Sequence, residues 1–176
     1  WAVKWDVMTA VRRTRAFDEY QIDWIEEPLG DWDPEGYANL RSKSECLIAY
    51  GEKEWTLRGY KRVIDTGTVD VVGVDPGRAE GITGFKKITT LVEEKRRQAN
   101  AHAWSSAIGT AASLAVSFSS SACKLFEFKP LENPMQHELV ENPILHHDGW
   151  VYPPTGPGLG ITVIEEVVDR FRTENI

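Results

Sequence analysis

Five residues whose chemistries fit one another stand where apolar runs give way to polar loops: Glu26, Glu52, Asp75, His102 and Glu127. Glu26 lies in Asp23-Trp24-Ile25-Glu26-Glu27-Pro28-Leu29, whose apolar approach reads as the end of a buried strand. Pro28 has no N–H to give to a ladder, so the strand must stop beside two carboxylates. Side chains alternate along a strand, so Glu26 and Glu27 are expected to face opposite ways, one into a shared site and one into the surrounding wall. Leu47-Ile48-Ala49-Tyr50-Gly51-Glu52 and Val69-Asp70-Val71-Val72-Gly73-Val74-Asp75-Pro76 repeat the pattern of an apolar run with an acid at its exit. Crowded carboxylates repel unless a cation holds them, so Glu26 and Glu52 read as ligands of a hard ion such as Mg2+. Asp75 could fix the tautomer of His102 and raise its basicity, although a satisfied structural histidine is an alternative. A single strand-end acid often only caps the next helix; a set at successive exits favours a site.

Other residues attract attention with less cause. Arg78 and Lys129 lie just past strand exits and could meet a substrate carboxylate or hydroxyl, or simply form capping salt bridges. Trp104, beside His102, could line a substrate pocket, with packing against the neighbouring helix as its plainer role. His137, His146 and His147 suggest a metal cluster, but His146-His147 precedes an Asp148-Gly149 turn and reads as a solvated loop. Gly156-Pro157-Gly158-Leu159-Gly160 has the wrong spacing for a dinucleotide fingerprint and is flanked by proline.

The elements that must hold these residues follow from periodicity and punctuation. A helix is expected from about Asp6, and a short one from Asp33 (N-cap) and Pro34 to Ser42. Another runs from Glu54 to Thr66 and closes at Gly67. Helices over 82–97 and 105–119 and a closing helix from about Val163 to Arg172 complete the set. Strands are expected at the DWIEEPL segment, over 46–50, 69–74 and 99–101, and over 124–128 as the last, with a hairpin around Asp148-Gly149. Strands alternating with helices imply a parallel sheet, and acids at the exits imply a site at its carboxyl edge, as in a (β/α) barrel.

At 176 residues the chain can bury a core of ordinary size. A formal charge of −7 argues against a non-specific nucleic-acid binder and suits a protein that gathers carboxylates around a cation. Cys46 and Cys123 have no metal spacing and read as buried small hydrophobes in a reducing compartment. No apolar run approaches the roughly 20 residues needed to span a bilayer. A soluble, cytoplasmic protein without membrane or nucleic-acid partners is the expectation.

The WIEEPL segment, the GE after the next strand, VDPGRAEGITGF, HAWSS, the FEF stretch and the PGLGI tail resemble, in this order, the mandelate racemase subgroup of the enolase superfamily, particularly its acid-sugar dehydratases. The resemblance covers nearly the whole chain and implies the C-terminal part of a TIM-type (β/α) barrel, about strands four to eight, hence an incomplete barrel. It implies that Glu26 and Glu52 are two of three Mg2+ ligands and that Asp75 and His102 form a general base or acid dyad. Glu127 would hydrogen-bond a substrate carboxylate oxygen in an enediolate intermediate. The implied partner is a small carboxylate, a sugar acid, and the implied assembly of the full-length protein is a homo-oligomer.

Departures from the pattern bear on these expectations. The capping domain, the second-strand lysine and the third-strand Asp of the family would lie before Trp1, so the chain alone is expected to be a weak catalyst or none. Glu80 stands where many relatives carry a second glycine, and Gln98-Ala99-Asn100-Ala101 replaces an apolar seventh strand. A racemase or epimerase, and a non-catalytic remnant or binding module, stay open beside the dehydratase.

Overall fold

The computed structural model describes residues 4–30, 33–129 and 131–173. Four strands, β1 (Trp24–Glu26), β2 (Leu47–Tyr50), β3 (Val71–Val74) and β4 (Gln98–Ala101), form one parallel sheet in the order of the sequence. Helices α1 (Val7–Phe17), α2 (Pro34–Arg41), α3 (Thr56–Thr66), α4 (Gly81–Glu94) and α5 (Ala107–Phe118) alternate with them. The one-turn α6 (Pro134–His137) and α7 (Glu165–Phe171) follow. The architecture is therefore the open, parallel α/β arrangement of an incomplete barrel.

Local chemistry sets the boundaries. Asp33 caps α2 by accepting from the Gly36 N–H at 2.9 Å, with Pro34 at the first helical position. Gly67 ends α3 at φ 63°, the left-handed cap that glycine adopts without strain. Asp148 and Gly149, at φ 51° and 80°, make the expected hairpin turn, closed by His147 and Trp150. Glu80 precedes α4 at φ 61°, a left-handed position of the kind glycine adopts most readily.

The two faces of the sheet differ. Ile48, Tyr50, Val72, Val74, Ala99 and Ala101 join Tyr60, Phe85 and Ile88 in the main core beneath the helices. By alternation, Ala49, Gly73 and Asn100 face the other way, into the barrel side. Gln98-Ala99-Asn100-Ala101 pairs residue for residue with Val71 to Val74, so its polarity leaves the register intact.

One expected strand is absent. Lys124 to Phe128 makes no ladder; only Cys123 bridges to Ala99. The alternation that suggested a strand comes from packing: Phe126 and Phe128 lie against the satellite core of Ala111, Leu114 and Ile144, while Leu125 is exposed. Among the described residues no helix is long and apolar enough to cross a membrane.

Candidate active site

Glu26, Glu52, Asp75 and His102 stand at the carboxyl ends of the four strands, and Glu127, from a segment outside the sheet, interacts with Glu26, Glu52 and His102. Glu26 ends β1 on the barrel-facing side, where its register partner is Ala49. Gly73 lies beneath both acids: a β-carbon there would touch Glu26 Oε1 at 3.6 Å and crowd the Glu52 nitrogen at 3.3 Å. Gly51, at φ 142° and with no space for a β-carbon against the Gly73 carbonyl, carries the chain from β2 into Glu52. Glu27 takes the opposite side, as alternation requires, and is buried.

Asp75 and His102 form the best-defined pair. His102 Nδ1 lies 3.0 Å from Asp75 Oδ2, and Asp75 Oδ1 accepts the Gly77 N–H at 2.7 Å. An ionised carboxylate can only accept, so Nδ1 carries the proton and Nε2 faces Glu52 Oε2 at 3.4 Å. The hydrogen bond to Asp75 raises the His102 pKa, with Glu52 and Glu127 adding to it against the opposing effect of burial. Burial pushes the Asp75 carboxyl up, but the bonds from His102 and the Gly77 N–H prevail and hold it below the usual range.

Glu26 and Glu127 behave in the opposite sense. Burial, then the charges of Glu127, Glu52 and Glu27, push Glu26 up to about 7, although the residue as a whole keeps an exposed surface. Burial also raises Glu127, against the opposing effects of a Trp104 hydrogen bond and His102. Trp104 Nε1 donates to Glu127 Oε1, while Glu127 Oε2 is buried without a partner among the described residues. Trp104, an exposed ring, thus fixes one oxygen of Glu127.

The other candidates are placed as follows. Lys129 Nζ sits 5.9 Å from the Trp104 ring centroid and 3.4 Å from its carbonyl. Arg78 donates to the Glu52 carbonyl and covers the Trp55 ring at 5.6 Å. His137 Nδ1 lies 3.0 Å from the Asn133 carbonyl, and His146 packs edge-on against Phe128, so the three late histidines do not form a cluster. Sequence reasoning passed over Lys53, which pairs with Glu27, and Asn100, whose Oδ1 is buried and without a partner among the described residues. A glycine inside β3, opposite Asn100, was the available signal for close approach on that face.

Among the described residues, no three His, Cys, Asp or Glu side chains converge to hold a metal ion. Glu26 and Glu52 nonetheless supply two hard oxygen donors, and the elevated Glu26 carboxyl marks a place where positive charge would relieve repulsion. The donor set fits a divalent cation of the Mg2+ kind as two of its ligands.

The family description "Enolase C-terminal domain-like" matches residues 2–167. The chain belongs to this family. It is 30% identical over 168 residues to the L-talarate/galactarate dehydratase of Salmonella typhimurium, covering 93% of this chain and 39% of the relative. Among solved structures, the 3,6-anhydro-D-galactonate cycloisomerase of Zobellia galactanivorans superposes with a TM-score of 0.89 at 28% identity, over 97% of this chain and 48% of the other. A racemase from Streptomyces coelicolor with bound magnesium gives a TM-score of 0.83 at 26% identity, over 96% and 44%. This enolase-superfamily chain thus spans less than half the length of each of these relatives.

Proposed function

We propose that this chain carries the acid–base machinery of a site that removes the proton next to a carboxylate and then expels water from a sugar acid. The observation that carries the reading is the Asp75–His102 pair, with Nδ1 tied down and Nε2 turned toward the Glu52 side of the site. Neutral His102 takes the α proton at Nε2, and the electron pair left on carbon spreads into the carboxylate as an enediolate. Protonated Glu127 donates a hydrogen bond to the carboxylate oxygen on which charge grows, its orientation held by Trp104. His102 then returns the proton from Nε2 to the departing β-hydroxyl; the C–O bond breaks, water leaves, and the enol tautomerises to a 2-keto-3-deoxy acid.

Glu26 and Glu52 would hold Mg2+, which supplies positive charge to the substrate carboxylate when bound. Lys129, stacked over Trp104, and Arg78 at the Glu52 carbonyl are assigned to substrate contact. The sugar-acid class rests on the dehydratase relative, whose name specifies talarate and galactarate.

The test is α-proton exchange in deuterium oxide, followed by proton NMR, with galactarate or gluconate, Mg2+ and the purified chain. Slow exchange above the buffer rate is expected, falling at least ~100-fold in His102→Gln. Exchange that does not depend on His102 would sink the assignment.

A further inference from the structure

Glu27 is unusual for a residue outside the proton chemistry. It is 2% exposed, sits at φ 42° without being glycine, and keeps Oε1 buried and unpartnered among the described residues. Its Oε2 accepts from Lys53 Nζ. The positions matter more than the pairing itself: Glu27 follows Glu26, and Lys53 follows Glu52. The ion pair therefore joins two strand exits directly behind the two acids on the barrel side. Both exits are also tied through the backbone, from the Glu27 N–H to the Ala49 carbonyl and from the Glu54 N–H to the Gly51 carbonyl, each 2.9 Å.

We infer that the Glu27–Lys53 pair is a clamp that fixes the separation of Glu26 and Glu52 before a cation arrives. The inference rests on reading Glu26 and Glu52 as cation ligands. Mutually repelling carboxylates on separate loops drift apart unless something behind them resists. An ion pair with one partner this deeply buried is a poor choice for stability alone, because desolvation offsets most of the attraction and apolar side chains would serve as well. The left-handed backbone at Glu27 adds a local cost at this same exit. Lys53 and Glu27 are thus positioning residues that act through Glu52 and Glu26.

The test measures Mn2+ binding by electron paramagnetic resonance, with thermal unfolding recorded on the same samples of the 176-residue chain. Lys53→Met is expected to weaken Mn2+ at least ~10-fold, while Lys53→Arg stays close to the parent. Lys53→Met also leaves Glu27 charged and unpaired, so its loss could be ordinary destabilisation. The double variant Glu27→Gln/Lys53→Met removes that charge and should recover thermal stability without recovering Mn2+ affinity. Affinity that returns together with stability would show a purely structural pair and overturn the clamp. If the parent chain binds no Mn2+, the ligand reading fails, and amide hydrogen exchange in the metal-free protein decides the clamp separately. Exchange at Glu27 and Glu54 should then be at least ~10-fold faster in the double variant with Val72 to Val74 unchanged; unaltered exchange at Glu27 and Glu54 rejects it.

Discussion

The two ends of the sheet treat carboxylates in opposite ways. At the amino-terminal end, Asp70 Oδ1 accepts from Arg41 Nε at 2.8 Å and Arg97 Nη1 at 2.7 Å, and Oδ2 lies 3.2 Å from the Ile48 nitrogen. Glu93, where α4 returns the chain to that end, accepts from Ser120 Oγ at 2.7 Å and the Ser121 N–H at 2.8 Å. At the carboxyl end, Glu26, Glu52 and Glu127 surround one imidazole, and Glu127 Oε2 has no partner among the described residues. Donors outnumber charges at one end, and charges outnumber donors at the other. The first arrangement stabilises the fold; the second stores repulsion that a cation or substrate can relieve, as expected when a (β/α) sheet keeps its chemistry at the strand exits.

The largest effect should come from breaking the saturated end. Asp70→Ala leaves two guanidinium groups and the Ile48 N–H without their acceptor, and a loss of about 2–3 kcal/mol is expected in denaturant unfolding. Cation binding at the far edge should be unchanged. A loss below a few tenths of a kcal/mol would mean that the two ends do not differ in this way.

Glu26→Gln should act in the reverse direction. Removing one charge from the crowded edge is expected to stabilise the metal-free chain, by less than about 1 kcal/mol because solvent on its open side screens the repulsion. The same substitution should abolish divalent-cation binding, read by calorimetry. A destabilised Glu26→Gln chain would show that its carboxylate is already satisfied, contrary to the comparison.

Legibility in the sequence divides along similar lines. Asp33-Pro34, Gly67 and Asp148-Gly149 announced themselves because caps and tight turns are decided by a few adjacent residues. The three strand exits with their acids were legible for the same reason, since an apolar run ending at a charge is a local pattern. Of the pairs that organise the site, Asp75 with His102 was anticipated and three others were not. Glu27 with Lys53, Trp104 with Glu127 and Arg78 with Glu52 are 26, 23 and 26 residues apart, and only the parallel register brings them together. The false strand over 124–128 has a related cause: Phe126 and Phe128 alternate to fill a satellite core, and alternation alone does not distinguish packing from pairing.

The smallest effect belongs to Glu93 and carries a pH signature. The Ser120 hydroxyl is the main influence holding its carboxyl below the ordinary range; burial opposes it, and the Ser121 N–H and hydroxyl add to the lowering. A carboxyl depressed in the folded state contributes stability above its unfolded pKa and loses it as pH falls through the folded value. Glu93→Gln should therefore cost only about 0.5 kcal/mol at pH 7, because solvent screens this partly exposed carboxyl. The gap between parent and variant should narrow as acid titrates the parent below the usual glutamate range, because protonated Glu93 is as poor an acceptor as the amide. A gap that persists undiminished in acid would assign the loss to side-chain shape. Charge-assisted bonding would then no longer explain how the amino-terminal end holds its carboxylates.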